Sequence, residues 1–592
     1  MIVKMEKITL LVSAKHRDSA LTQLRKAGVL HIHDIKIPVS EDIQSLETGL
    51  ENVEKSLQII SEETIGKDKL GIDQAESYIE QIIFLNQERE AQYRELDEQQ
   101  EIEKWFQKRG AISYASLQKL EQAGIFVHLY IADKGALKNL PQDKIIHIAK
   151  EDQGTIYFAL FTESADDKLD FKEEQVPQIE LTEVKSKIAQ IEEEIKRIKN
   201  TLKELSGVRQ CLLAYKDDLG KRLELNRVKY GMGEEGEISY LQGFCPEETV
   251  PQLKKLAEKD GWGYVVQEPD DPAEVPTLLR NPKWVRIIEP LFNFMGTLPG
   301  YNEPDVSLVF LAFFSIFYAM IVGDAGYGLI FLISTLIFAR KKKDAPREFF
   351  NLMYLMSGTT IIWGLITGTW FGAERISQLP FLKIFIIDKI YSFNPNPESQ
   401  LFIMQLTFII GVVQLSIGHL IKAFRKINSL TAIAEIGWVL VLGAVYFIAN
   451  NIVLGKEMAS ATMPLFISGV ALILLFANYQ KNIIKGILST LGNLPLDIIS
   501  SFSDVVSYIR LFAVGLATVI VATSFNQMAI GSGIDSILSG IIAVVILLLG
   551  HSINLALCGM SILVHGVRLN MLEFSGHVGV QWTGKVYKPF KE

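Results

Sequence analysis

Polar and apolar positions divide this chain near residue 300. Up to that point Glu, Lys, Asp and Gln are dense, and from Val306 to Leu572 long apolar runs dominate. The polar part carries two period-seven patterns. Ile43, Leu46, Leu50, Val53, Leu57 and Ile60 recur at spacings of three and four, as do Val184, Ile188, Ile191, Ile195, Ile198, Leu202 and Leu205. Such seams predict paired helices. One arm covers residues 40–108, weaker near Gly66 to Gly71, and a second covers 178–228, together an antiparallel coiled-coil hairpin. At about 1.5 Å per residue, arms of some fifty residues reach roughly 75–90 Å. Alternation at 4–14, an amphipathic pattern at 17–27 and a second alternating run at 29–35 predict strand, helix, strand. The same order returns at 238–245, 247–259 and 262–267, so residues 1–38 and 232–275 complete one split α/β proximal lobe. Runs at 126–131, 144–147 and 155–161 predict strands of a distal α/β lobe over 109–177.

Residues 276–305 link this α+β region to the apolar part. The run 306–339 is interrupted at Gly323-Asp324-Ala325-Gly326-Tyr327-Gly328. One crossing takes about 20 residues, so the interruption predicts two short helices turning at the glycines. Further runs cover 352–371, 401–421, 432–452, 464–476, 498–529 and 537–572, which gives eight transmembrane helices within 306–575. The last two exceed a perpendicular crossing and predict strong tilt. Basic clusters at Lys341 to Lys343, Lys422 to Lys426, Lys481 to Lys485 and in the tail 576–592 all fall on the side of the polar part in that count. This agrees with the positive-inside bias. The N-terminus lacks the long apolar core of a secretory signal, so the expectation is a multi-pass membrane protein with both termini in the cytoplasm.

Arg510 stands deep inside the apolar run 498–529. A guanidinium does not give up its proton, so membrane depth costs on the order of 2.5–3.5 kcal/mol even on a lenient insertion scale, and its default reading is an ion pathway. Ser500, Ser503, Ser507 and Arg510 recur at three and four, with Asp504 and Tyr508 on an adjacent face. On the last run His551, Asn554, Cys558, Ser561, His565 and Arg568 do the same, predicting one continuous polar stripe. Two facing stripes describe an aqueous path. A single Ser, Asn or His in a span more often serves as interhelical glue, worth about 0.6 kcal/mol, but glue does not require a permanent charge. Arg568 lies near an end and has snorkelling as its alternative. Asp324, beside the glycine break, reads as an ion-path or loop-ordering residue.

The remaining chemistry is mostly exclusion. The net charge of −9 and the absence of a basic cluster in the polar part give no case for nucleic acid. Cys211, Cys245 and Cys558 lie far apart, without disulfide or zinc spacing, and read as buried and inert. Gly66-Lys67, Gly220-Lys221, Gly455-Lys456 and Gly584-Lys585 all lack the rest of a phosphate loop, so neither a nucleotide site nor a cofactor is predicted. His31 and His33 share one side of a strand, but no further ligands follow at metal spacing, and a solvated face is the better reading.

Taken together, Val275-Pro276-Thr277, the YNEPDVS of residues 301–307, the GDAGYG of 323–328, the SYIRLFAVGLA of 507–517 and the HGVRLNMLEF of 565–574 closely resemble subunit a of V/A-type rotary ATPases, called subunit I in bacteria and archaea. The resemblance covers essentially the whole chain. It implies a non-catalytic stator subunit of an H+- or Na+-transporting ATPase, in a prokaryotic plasma membrane. The implied partners are a rotor ring of small membrane subunits (c/K), peripheral stalks (E/G type) on the cytoplasmic arm, a central-stalk socket (d/C type) and membrane lipid. It also implies that Arg510 is the essential arginine, that Arg568 is the second, and that His565, Ser503, Ser507 and Asp324 belong with two ion half-channels. Arg510 would then pair with a carboxylate arriving on the ring. Cys558 and Thr518 stand where relatives carry a glutamate and a histidine, which leaves Asn554, His551 or Asp324 for the outer half-channel. The competing reading is a self-contained ion transporter with a regulatory coiled coil, which predicts a carboxylate within the spans of this chain.

Overall fold

The computed structural model describes residues 1–60, 72–133, 144–152, 154–342, 345–394, 396–479, 483–531, 533 and 536–591. The weakly periodic stretch Gly66 to Gly71, Lys343 and Lys481 of the basic clusters, and part of the loop 531–536 lie outside the described residues. The chain forms two compact units, one from residues 13–23 and 34–241, the other from 1–12, 24–33 and 242–591.

In the first unit, helix Glu41–Ile59 packs on Arg209–Gly231, and Ala75–Arg109 packs on Leu181–Glu204. The heptad positions Val53, Ile60, Ile198 and Leu202 bury with Ile79, Ile82, Leu212 and Leu219, while Ile191 and Ile195 bury with Leu96. Leu205 packs against the same core while opening a tighter turn, Leu205–Val208. There the Ser206 hydroxyl donates to the Lys203 carbonyl at 2.6 Å, a local bond that competes with helix continuation. A four-stranded antiparallel sheet closes the unit, in the order Ile145–Asp152, Thr155–Thr162, Phe126–Asp133, Lys172–Glu174. The first strand outruns the predicted 144–147, and the short, charged Lys172–Glu174 edge carries no alternation by which sequence could reveal it.

In the second unit, Met5–Ser13 pairs antiparallel with Gly263–Gln267, and His31–His33 with Ile238–Pro246, so strands from both ends of the polar part share one sheet. The C-terminal tail docks beside it, with a two-stranded sheet of its own. Lys585–Val586 runs parallel to Pro276–Thr277, the Tyr587 hydroxyl donates to the Val29 carbonyl, and Phe590 N–H donates to the Leu30 carbonyl at 2.8 Å. His31 is therefore not on a solvated face. Its Nδ1 lies 3.0 Å from both the N and the O of Lys588, and its ring stacks on Tyr587 at 6.0 Å.

Among the described residues, five helices are long and apolar enough to cross a membrane: Arg347–Thr367, Pro397–Arg425, Thr431–Leu454, Ile484–Ile530 and Ile537–Val578. Ser307–Val322 and Ala325–Lys341 form a pair bent by 118° at Gly323-Asp324, and Thr462–Phe476 is a shorter apolar helix. One apolar core runs through them, from Ile288 and Phe310 to Val505, Leu569 and Val580. The run holding Arg510 is 47 residues long, with Pro495 inside it and a local break at Tyr508, and therefore starts well before the predicted residue 498.

Burial holds the His31 imidazole below its ordinary pKa. A depressed folded-state value favours the neutral ring, so tail docking is fully supported above the unfolded value of about 6.5 and weakens as pH falls below it. The amide protection factor of Lys588, measured by hydrogen exchange, should drop between pH 7.5 and 5.5. In His31→Phe, which keeps a stacking ring but no hydrogen-bonding nitrogen, it should be low at both.

Candidate functional site

Two of the polar groups among the apolar helices hold the residues that the sequence singles out. The first forms around the bend. Asp324, 1% exposed, accepts four backbone N–H groups: Oδ1 takes Gly326 at 2.8 Å, Tyr327 at 3.3 Å and Phe371 at 2.8 Å, and Oδ2 takes Gly372 at 2.9 Å. Two of these donors open helix Ala325–Lys341, where Asp324 is the N-cap. The other two come from consecutive residues with positive φ, Phe371 at 51° and Gly372 at 62°, a backbone concavity suited to an anion. A left-handed Phe is strained; the carboxylate it faces is what holds it there. Asp324 thus orders the break and the 371–372 loop together.

Beside it, the Tyr327 hydroxyl meets His551 Nδ1 at 2.7 Å and accepts from Asn554 Nδ2 at 3.0 Å. His551 Nε2 lies 3.2 Å from Asn526 Oδ1, whose amide nitrogen donates to the Phe371 carbonyl at 2.6 Å. Asn554 also donates to the Thr518 carbonyl, and the Thr518 hydroxyl lies 3.6 Å from Cys558 Sγ. His551, Asn554 and Asp324 are therefore brought together, joined by Tyr327 and Asn526, which the polar stripes did not include.

The second group surrounds Arg510. Its Nη2 donates to the Ser507 hydroxyl at 2.9 Å and lies 3.3 Å from Glu573 Oε1, and Arg568 Nε lies 3.6 Å from the same oxygen. Arg510 is one-quarter exposed, Glu573 is buried and Arg568 is half-exposed. His565 is partly exposed within electrostatic range of both arginines, and Ser503 is exposed. Next to this group opens a cavity of about 520 Å³ lined by Asp497, Ser500, Asp504, His419, Lys422 and His577, among others. A hydrogen-bonded row runs along it. Glu435 Oε2 meets His419 Nδ1 at 2.8 Å, His419 Nε2 meets His577 Nδ1 at 2.9 Å, and His577 Nε2 meets Asp504 Oδ2 at 3.1 Å. Tyr508, fully buried, donates to Gln414, which donates to Asn570, each at 2.8 Å.

The predicted single stripe on the last run is corrected here. Ile562–Val567 and Leu569–Phe574 are wound as π-helix, with i→i+5 bonding in place of i→i+4. The wider turn shifts the phase: Asn554 and Cys558 face inward, His565 and Arg568 do not, and the inward polar row resumes at Asn570, Glu573 and His577. Glu573 and Glu435 are carboxylates within apolar helices that sequence reasoning passed over. Glu573 sits five residues after Arg568, a spacing that α-geometry sets about 140° apart, so no helical-wheel argument joins them. Among the described residues no cluster of His, Cys, Asp and Glu fits a metal ion, and all three cysteines are buried.

Fold and site together define a helical membrane protein with ionisable groups held inside its apolar helices. Among curated proteins, V-type ATP synthase subunit I of Borreliella burgdorferi is 31% identical over 625 residues, the full length of both chains, and V-type ATP synthase subunit I 1 of Treponema pallidum is 29% identical over 628, again the full length of both. A-type ATP synthase subunit I of Methanocaldococcus jannaschii is 26% identical over 453 residues, 71% of this chain and 64% of that one. No family model matches. Among solved structures, the crystal structure of the cytoplasmic N-terminal domain of a subunit I, homologue of subunit a of V-ATPase, aligns with 16% identity and a TM-score of 0.25, over 44% of this chain and 99% of that one. The chain belongs to the subunit I family of V-type and A-type ATP synthases.

The bend should fail where its two supports are removed. Asp324→Asn turns a donor toward N–H groups, and an unsatisfied buried polar group costs about 1–3 kcal/mol. Gly364→Ala would set a Cβ 2.1 Å from the Ala325 nitrogen. Both should lower the thermal unfolding midpoint of the detergent-solubilised chain, whereas Ser503→Ala, on the surface, should stay within about 0.5 kcal/mol of wild type.

Proposed function

We propose that this chain is the stator subunit a/I of a V/A-type rotary ATPase, coupling ATP hydrolysis or synthesis on other subunits to movement of H+ or Na+. The observation that carries the reading is Arg510: a charge held part-buried in an apolar helix, with Nη1 buried and without a hydrogen-bond partner. In this reading eight helices cross the membrane, the bent pair counting as two. The group around Tyr327, His551, Asn554 and Asp324 belongs to the outer half-channel, with Asp324 ordering its wall. The cavity beside Asp504 and His577 is the cytoplasmic half-channel, reached from the side of Lys422 and Lys426. Arg510 faces a ring of small membrane subunits and lowers the pKa of each arriving carboxylate, which favours ion release. Its fixed charge also blocks direct leakage between the two paths. Arg568 and His565 flank it, and Ser507 orients it. The coiled-coil hairpin of 40–108 and 178–228 anchors peripheral stalks against torque, the proximal lobe meets the central-stalk socket, and ATP chemistry lies elsewhere in the complex.

A self-contained transporter draws support from one observation. Glu573 is a buried carboxylate within an apolar helix, as that reading predicts. It is set against two arginines, however, which favours a fixed partner over a free carrier site.

In vesicles holding the assembled complex, Arg510→Ala and Arg510→Lys should assemble normally and lose ATP-driven ion uptake. Normal pumping by either assembled variant refutes the stator reading. Ion flux through the isolated chain in liposomes, at the rate of the complex, would establish the transporter instead.

A further inference from the structure

Both arginines meet one acid. Glu573, 5% exposed, lies 3.3 Å from Arg510 Nη2 and 3.6 Å from Arg568 Nε through the same oxygen. The pairing is incomplete on both sides, because Arg510 Nη1 and Glu573 Oε2 are each buried without a hydrogen-bond partner. Buried polar atoms are almost always satisfied, and an exception calls for a role. Two permanent cations face one carboxylate, so the three side chains carry one net positive charge and lack one anion. The two helical runs that carry them expose apolar side chains: Ile499, Leu572, Met560 and Val564 are each more than half exposed. The winding is specific to the arrangement. Only in the π-wound stretch do residues five apart, such as Arg568 and Glu573, fall into register, and Ser575 uses the same spacing to donate to the Asn570 carbonyl at 2.8 Å.

We infer that Glu573 is a standing counter-ion that positions Arg510: it holds the guanidinium from the protein side through Nη2 and leaves the exposed quarter of the side chain to a carboxylate presented by a neighbouring membrane subunit. When that carboxylate leaves, Glu573 remains, so the guanidinium is never stranded without an anion. The inference rests on the stator reading of Arg510 given above. Its consequence is a tuned affinity. An arriving carboxylate meets one net positive charge, whereas without Glu573 it would meet two. The stronger field would hold it in its charged form, and it would reload with its ion only at higher ion concentration. The other charged groups around the cavity, Asp497, Asp504, His419, Lys422 and His577, stay in place in either case.

The test uses the assembled complex in vesicles and reads the half-saturating concentration of the transported ion, H+ or Na+, for ATP-driven uptake. Glu573→Gln should raise it about tenfold or more, as expected for one added charge within a few ångströms in a medium of reduced dielectric. Glu573→Asp should restore it in part. Arg568→Gln, which removes one positive charge, should shift it in the opposite direction, and this variant decides the matter if Glu573→Gln does not assemble. A purely structural role would lower the amount of assembled complex and leave half-saturation where it was. Unchanged half-saturation in Arg568→Gln and in every assembled Glu573 variant overturns the inference alone, provided Arg510→Ala is inactive; normal uptake by Arg510→Ala overturns the stator reading beneath it.

Discussion

A guanidinium inside an apolar helix has to keep its charge and five donors with little water to serve them. For Arg510 the structure supplies a serine one turn earlier and a carboxylate from another helix. The carboxylate has to come from the last helix, on a face where α-winding would not set it beside Arg568. The π-wound stretch Ile562–Phe574 therefore follows from the charge, in the sense that it brings Glu573 under both arginines. Neighbouring polar side chains fall in behind it. Tyr508 and Gln414 hold Asn570, and Ser575 returns a bond to the Asn570 carbonyl, fixing the wider turns from both sides.

Irregular backbone within apolar helices is tolerated only where protein satisfies it. The 118° bend meets that demand through one carboxylate and close glycine contacts. Asp324 takes four N–H groups, the Thr369 carbonyl accepts the Ala325 N–H at 2.9 Å, and the Thr369 hydroxyl donates to the Gly323 carbonyl. Gly364 and Gly515 let neighbouring backbones approach: a Cβ on the latter would lie 2.4 Å from the Met320 carbonyl oxygen. With all four hydrogen bonds made, Asp324 is suited to hold a wall in place more than to exchange an ion.

Legibility in the sequence followed period and cost. Arg510 was visible because no bland role fits a permanent charge in an apolar run. The heptad positions and the glycine break were visible because their spacing maps directly onto packing, as Val53 with Ile198 and the two short helices at Gly323 demonstrate. What stayed hidden depended on winding or on several helices at once. A wheel drawn at 3.6 residues per turn places His565 and Arg568 below Asn554 and Cys558, and fails once the turn widens at Ile562. Glu435, His419, His577 and Asp504 come from four separate stretches, so no local pattern announces that they form one row.

The same change of winding separates the two polar groups. Along the inward face of the last helix, Cys558 is followed by Ile562, Gly566 and Leu569 before polarity returns at Asn570. Ile562 and Leu569 bury in the core with Phe314, Phe317 and Ile321, and Gly566 lies against those three side chains, where a Cβ would meet them at 3.3–3.9 Å. Phe317 in turn packs edge-on against Tyr508 at 5.8 Å. A closely packed apolar layer therefore lies between the Tyr327–His551–Asn554 group and the Glu573–His577–Asp504 group. Water is excluded from sites that are apolar and tightly filled, as this layer is. Arg510 and His565 are partly exposed and Arg568 is half-exposed, so these charged or ionisable side chains reach the surface of the helices. In the stator reading proposed above, an ion passing from one group to the other would have to take the outer face, past a fixed positive charge that a free cation would not approach without a carboxylate to carry it.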